Sequence, residues 1–196
     1  MKKIVPTSAV LIPDTATRVF EGQIFDVYQW PQTLFDGSTA TFEMLKRPDT
    51  VLFVCIKDDK IIFIREQQPG RDEYVRLPGG RVDPGEDWRT AAERECAEEL
   101  GLRFKNWRLL AVRQPVAKVE WFVATYLGTD CIEEHGTHHD AGERIESVPM
   151  SFAEAKEYVL DVDDRSTEHI RELFENAGSL DDLKVLPQFQ GKEVDR

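Results

Sequence analysis

Cysteine is scarce in this 196-residue chain: Cys55, Cys96 and Cys131 stand far apart and form no CxxC pair. An odd, scattered set argues against a disulfide framework and against a thiolate zinc site, and reduced thiols fit the cytosol. Long apolar runs are missing too. No stretch approaches the ~20 residues that a membrane-spanning helix needs, and Met1-Lys2-Lys3 leads to Pro6 rather than to the apolar core of a signal peptide. No membrane association is expected, and the expected location is cytoplasmic. Basic residues are outnumbered, with 25 Lys and Arg against 37 Asp and Glu, for a formal charge of -12. That balance argues against a protein that grips nucleic acid along its phosphates, and leaves room for a small anion held by local cations. Internal repeats and low-complexity segments are absent, so the chain is neither solenoid nor array.

What is present concentrates between Gly79 and Leu102, in GGRVDPGEDWRTAAERECAEELGL. Gly79, Gly80 and Gly85, beside Pro78 and Pro84, mark a tight loop, and good helix formers run from Trp88 to Leu100 until Gly101 can supply a left-handed cap. On a helical wheel at ~100° per residue, Glu95, Glu98 and Glu99 share about one third of the circumference, beside an apolar stripe of Trp88, Ala92, Cys96 and Leu100. Like charges at these spacings cost roughly 0.2 to 0.5 kcal/mol per pair, a cost that a divalent cation between them reverses. Such hard oxygen ligands suit Mg2+ or Mn2+. The bland alternative is a solvated acidic helix.

Gly80, five residues, Glu86, seven residues and then Arg94-Glu95-Cys96-Ala97-Glu98-Glu99-Leu100-Gly101-Leu102 fill every fixed position of the Nudix hydrolase signature. The chain resembles that family. The resemblance implies hydrolysis of a nucleoside diphosphate linked to another group, in which metal ions held by carboxylates clamp the phosphates and acidify a water. It further implies that Glu95 and Glu99 are the main metal ligands, Glu98 a further ligand or water positioner, and the Gly79 carbonyl a backbone ligand. Arg94 is implied to pair with Glu86 and the helix carboxylates, orienting them rather than touching substrate.

Along the rest of the chain, the first 17 residues read as a loose lead-in. Arg18 to Trp30 and Ser38 to Lys46 read as strands of a hairpin turned at Asp36-Gly37. Thr50 to Lys57 and Lys60 to Glu66 are apolar runs expected as central strands around an Asp58-Asp59 turn. A short strand near Tyr74 to Leu77 precedes the glycine loop, and strands at Trp107 to Val112 and Trp121 to Leu127 follow the helix. Thr129 to Arg144 reads as a long polar loop, whose His135, His138, His139 and Asp140 lack a full tetrahedral metal set. Ser151 and Glu154 form a capping box for a helix from Phe152 to Val159, and Ser166 to Ala177 gives another. Asp161, Asp163 and Glu172 have calcium-loop spacing, but Arg165 and Ser166 stand where that loop needs an oxygen ligand and glycine. The expected division is 1–47 lead-in and hairpin arm, 48–179 catalytic domain and 180–196 polar tail. The expected fold is an α/β/α sandwich with a mixed sheet.

Within the family the chain most resembles the ADP-ribose and nucleoside-diphosphate-sugar pyrophosphatases. The resemblance rests on the hairpin before the core, Arg65-Glu66-Gln67 after a core strand, Pro115, and the acidic loop leading to ERIESVPMSFAEA. It departs from them where Arg76 and Gly79 replace the usual glutamate and alanine around Leu77-Pro78. GDP-mannose-type and UDP sugars stay open as substrates, as does a catalytically silent, nucleotide-sensing domain. By this resemblance Arg65, Glu66, Arg76, Tyr28 and Trp30 are candidate substrate contacts. The hairpin is the candidate arm of a homodimer, with Phe25 also near its partner's pocket. Glu143 is the candidate catalytic base, with Glu133, Glu134 and Asp140 as rivals.

Overall fold

The structure, a computed structural model, describes residues 2–134, 136–137, 144–161 and 165–196, with the backbone alone at 165–169. Two compact units share the chain: Met1–Asp49, Val112–Val123 and Gln190–Arg196 form one, and Thr50–Ala111 with Ala124–Phe189 form the other.

In the first unit β1 (Lys2–Val5) pairs antiparallel with β13 (Lys192–Asp195), Lys2 opposite Asp195. A second sheet orders β10 (Val119–Glu120), β4 (Thr39–Lys46), β3 (Asp26–Thr33) and β2 (Thr17–Phe20). The β3–β4 hairpin sets Trp30 opposite Phe42 and Thr33 opposite Thr39. At its turn Asp36 Oδ1 accepts the Ser38 N–H at 2.9 Å and Gly37 has φ 85°. The single strand expected from Arg18 to Trp30 is instead two antiparallel strands. The chain folds back at Gly22, whose N–H donates to Asp26 and where any Cβ would stand 2.5 Å from the Phe25 carbonyl oxygen. The lead-in is not loose either. Val5 and Ile12 are buried, and the Ile12 N–H donates to Glu120 Oε2 at 2.7 Å.

The second unit holds a seven-stranded sheet in the order β12 (Arg144–Met150), β6 (Lys60–Gln67), β5 (Thr50–Lys57), β11 (Val123–Glu134), β9 (Leu102–Arg113). Short β7 (Tyr74–Arg76) joins β6, and β8 (Gly79–Arg81) joins β5. Asp58 and Asp59 turn β5 into β6 with φ of 49° and 56°, a left-handed pair that Asp tolerates. Side chains alternate between two covered faces along β5 and β6, which explains the unbroken apolar runs Val51–Ile56 and Ile61–Ile64. Val54, Ile56, Ile61 and Phe63 pack on one face with α2 (Phe152–Asp161), α3 (Arg165–Asn176) and α4 (Leu180–Val185), through Val159, Ile170, Phe174 and Leu183. Cys55, pointing the other way, meets Cys96 after α1 (Trp88–Glu95), Sγ to Sγ 3.8 Å. Helices thus cover both faces of the sheet, the α/β/α arrangement expected. Each fully buried Ile or Phe contributes about 1.5 to 3 kcal/mol to that core.

One further expectation is corrected. Residues 129–134 extend β11 rather than opening a loop. That strand is buried from Val123 to Gly128 and then mostly exposed, so composition alone resembles a loop. The polar tail forms α4, with Leu183 fully buried, and then β13. The Ser151–Glu154 capping box closes, with Ser151 N–H to Glu154 Oε2 at 2.7 Å and Glu154 N–H to Ser151 Oγ at 3.3 Å. Among the described residues no helix is long and apolar enough to cross a membrane.

Candidate active site

The glycine loop is welded to the sheet before it reaches the helix. Leu52 pairs with Gly79 and Val51 with Gly80, and the Phe53 N–H donates to the Pro78 carbonyl at 3.0 Å. Gly79 sits at φ 144°, and a Cβ there would meet Val51 O at 2.1 Å, so only glycine fits. At Gly80 a Cβ would stand 2.3 Å from the Glu95 carboxylate, which therefore lies directly on the loop backbone. Asp87 caps α1 by accepting the Thr90 N–H at 2.9 Å, a signal already legible in an Asp just before Trp88. The expected single helix from Trp88 to Leu100 proves composite, because residues Cys96–Leu100 form a π-helical turn, closed by Gly101 at φ 64°. Such wide turns recur at functional sites. Here the turn carries Glu98 and Glu99.

Two arginines partition the carboxylates. Arg94 reaches Glu86 at 3.0 and 3.1 Å, Glu95 at 2.9 Å and Glu98 at 3.0 Å, and its Nη2 also donates to the Arg81 carbonyl at 2.9 Å. Arg76 Nε donates to Glu66, its Nη1 to the Leu77 and Gly79 carbonyls at 2.8 and 3.0 Å, and its Nη2 to Glu99 Oε1 at 2.9 Å. The Gly79 N–H holds the other Glu99 oxygen at 2.7 Å. Hydrogen bonding to Glu86 leads the effects that hold Arg94 above its ordinary pKa. Burial works against the charge of Arg76, yet Glu99 and Glu66 outweigh it and hold that guanidinium above its ordinary value. Burial also lifts Glu95, against Arg94, and pushes Glu99 up to about 7 despite Arg76 and the Gly79 N–H. At Glu86 the Arg94 bonds outweigh burial and the carboxyl falls below its usual range.

Gly79, Glu86, Arg94, Glu95, Glu98, Glu99, Glu66 and Arg76 are thus brought together within the second unit. Gln68, which donates to Glu66, belongs with them and carries no motif that would have singled it out. Arg65 sits apart, paired with Glu73 at 3.2 Å and Glu146 at 3.1 Å. Tyr28 and Trp30 belong to the first unit, on β3, where the Trp30 indole donates to Gln32 at 3.2 Å. Glu133 and Glu134 pair with Arg103 and Lys57. Glu143, His135, His138, His139, Asp140 and Asp163 lie outside the described residues. Arg94 and Glu98 also border a cavity of about 480 Å³ whose other walls include Arg103, Phe104 and Trp107.

Among the described residues no three His, Cys, Asp or Glu side chains converge, as they stand, into a cage for an ion. The carboxylates turn to the arginines instead. The donor set nevertheless fits a hard divalent cation: three carboxylates and the Gly79 carbonyl offer oxygen alone, and the Gly80 backbone leaves Glu95 a cradle that any Cβ would fill. Burial of Glu99, lifted to about 7 despite Arg76, leaves a carboxylate that a cation would hold in its charged form.

The NUDIX domain model matches residues 46–170, well over half of the chain. An ADP-ribose pyrophosphatase of Bacillus subtilis (strain 168) is 30% identical over 91 residues, 45% of this chain and 49% of that protein. The ADP compounds hydrolase NudE of Escherichia coli (strain K12) is 31% identical over 104 residues, 52% of this chain and 54% of that protein. The matches therefore span about half the length of these two relatives. A methanol dehydrogenase activator of Bacillus methanolicus is 25% identical over 149 residues, 72% of this chain and 79% of that protein. A crystal structure of an ADP compounds hydrolase superposes with a TM-score of 0.66 over 88% of this chain and 100% of that one, at 22% identity, which speaks for the fold alone. The glycine loop, the composite helix and this match in sequence and fold leave one conclusion: the chain belongs to the NUDIX domain family.

Proposed function

We propose that the protein is a divalent-cation-dependent pyrophosphohydrolase of ADP-ribose or a related nucleotide sugar, releasing a nucleoside monophosphate and a sugar phosphate. The observation that carries this reading is the pair Glu95 and Glu99 beside the Gly79-Gly80 backbone, with Glu98 joined to Glu95 through Arg94 and Glu99 held by Arg76. Mg2+ or Mn2+, bound by Glu95, Glu98, Glu99 and the Gly79 carbonyl, would polarise phosphorus and acidify the attacking water. Arg94 and Glu86 hold the carboxylates in place. Glu143 is the proposed base that takes the proton of that water. Arg65 is a proposed substrate contact, Tyr28 and Trp30 of the hairpin are proposed contacts to the substrate of a second protomer, and the cavity beside Glu98 is of a size that small-molecule sites use. The choice of ADP-ribose follows the name of the Bacillus subtilis relative, and the name of the Escherichia coli relative supports an ADP compound more broadly.

A homodimer through the β2–β3–β4 sheet belongs to the same proposal. Val19, Phe20, Ile24, Phe25, Leu34 and Phe35 are all exposed there, a density of apolar side chains that supports this reading. A second reading, activation of another enzyme by a domain that turns over no free nucleotide, draws on the Bacillus methanolicus relative. Incubation with Mg2+ and ADP-ribose, GDP-mannose or UDP sugars, with products identified, separates the two. Turnover of ADP-ribose supports the first reading, and a blank panel supports the second.

A further inference from the structure

We infer that Glu66 and Arg76, outside the signature, are a positioning pair that fixes the Glu99 carboxylate and the Gly79 carbonyl relative to each other, rather than contacts to substrate. The inference rests on the proposed metal-dependent reading and extends it to residues of the sheet.

A guanidinium has five N–H donors in a planar fork. Four hydrogen bonds already run from Arg76, to Glu66, the Leu77 carbonyl, the Gly79 carbonyl and Glu99. A two-pronged grip on a phosphate would have to break this network. The partners come from three separate segments, β6, the glycine loop and the π turn, and Arg76 is their shared centre. Glu99 is pinned at both oxygens, by Arg76 and by the Gly79 N–H, so the spacing between the two proposed oxygen ligands depends on one guanidinium plane. That plane is set in turn by Glu66, whose side chain is 1% exposed and whose second oxygen accepts from Gln68. A buried ion pair is a poor device for stability alone, since desolvation offsets its attraction. A fork anchored at its Nε by a buried carboxylate is a good device for orientation. Arg94 performs the matching task from the helix side, on Glu86, Glu95 and Glu98.

The test is Mn2+ binding followed by electron paramagnetic resonance, without substrate, on the wild type, Arg76→Lys and Glu66→Gln, with a thermal melt of each. Arg76→Lys keeps the charge and loses the fork, and Glu66→Gln keeps the shape and loses the anchor's charge. Each variant should weaken Mn2+ binding by about 10- to 100-fold, the usual cost of losing a partner behind a metal ligand. The nucleotide KM should stay within about twofold while kcat falls. Should Arg76→Lys fail to fold, the nearly isosteric Glu66→Gln decides. Unchanged Mn2+ affinity in the folded variants overturns the inference, and so does a raised KM with Mn2+ binding intact, which makes Arg76 a phosphate contact. A wild type that binds no Mn2+ overturns it as well. Weakened Mn2+ binding with no turnover of any nucleotide leaves the inference standing while the proposed activity fails. Turnover with Mn2+ binding unchanged in the variants does the reverse.

Discussion

Replacing Glu99 by Gln should stabilise the metal-free protein at alkaline pH. Burial lifts this carboxyl from an ordinary 4.5 to about 7, against the pull of Arg76 and the Gly79 N–H. At 1.36 kcal/mol per pKa step, the neutral form is favoured by roughly 3 kcal/mol. Because the folded value is the higher one, folding takes up a proton between about pH 4.5 and pH 7, and stability falls as pH rises through that window. Above it the ionised carboxylate costs its full amount. Glutamine stays neutral at every pH, but its amide can accept from only one of the two donors that Glu99 satisfies, and the mismatch costs about 1 to 2 kcal/mol. In EDTA at pH 8 the variant should therefore gain about 1 to 2 kcal/mol, a Tm higher by roughly 2 to 8 °C for a chain of this size. At pH 4.5 the ionisation cost is nearly gone, the mismatch remains, and the variant should be the less stable by about 1 kcal/mol. Mg2+ should raise the wild-type Tm more than the variant's, and turnover should drop at least ~100-fold. A variant that melts below the wild type at pH 8 in EDTA would refute the claim that burial makes the charged Glu99 costly without a metal.

Gly80→Ala should fold yet lose Mn2+ affinity and most activity, because its Cβ takes the place of the Glu95 carboxylate, 2.3 Å away; isothermal titration that finds normal metal binding would speak against the cradle. Glu143→Gln should cut kcat by about 100- to 10,000-fold with KM and metal affinity little changed, the signature of a lost general base. A rise in KM alone would make Glu143 a substrate contact. Sedimentation at micromolar concentration should show a dimer, and Phe20→Asp with Phe25→Asp should shift it towards monomer; a monomeric wild type would remove the hairpin arm from the proposal.

Much of the second unit was legible because its signals are local. The apolar runs of β5 and β6 ended at a turn of two Asp residues that adopt left-handed conformations, and Gly101 closed the helix as its position implied. The capping box of α2 is two side chains three residues apart, which is why it could be read directly. What escaped was set by partners far along the chain. β1 finds β13 nearly 190 residues later, and nothing in Lys2–Val5 announces it. The fold-back at Gly22 leaves no mark in composition, because apolar residues continue on both sides of it. The π turn has no composition of its own, since it is made where Glu99 is drawn to the Gly79 N–H and Arg76. Arg76 itself stands out in the sequence as a departure from the pattern of the group it resembles. Its engagement with Glu66 and Glu99 needed three segments in place, which sequence spacing does not reveal.

The most direct measurement is the product balance with ADP-ribose and Mg2+, resolved by chromatography and run in parallel with Glu99→Gln. The wild type should give equimolar AMP and ribose 5-phosphate, no reaction should occur in EDTA, and the variant should be at least ~100-fold slower. Equal rates from wild type and variant, or turnover that persists undiminished in EDTA, would contradict the proposed metal-dependent reading.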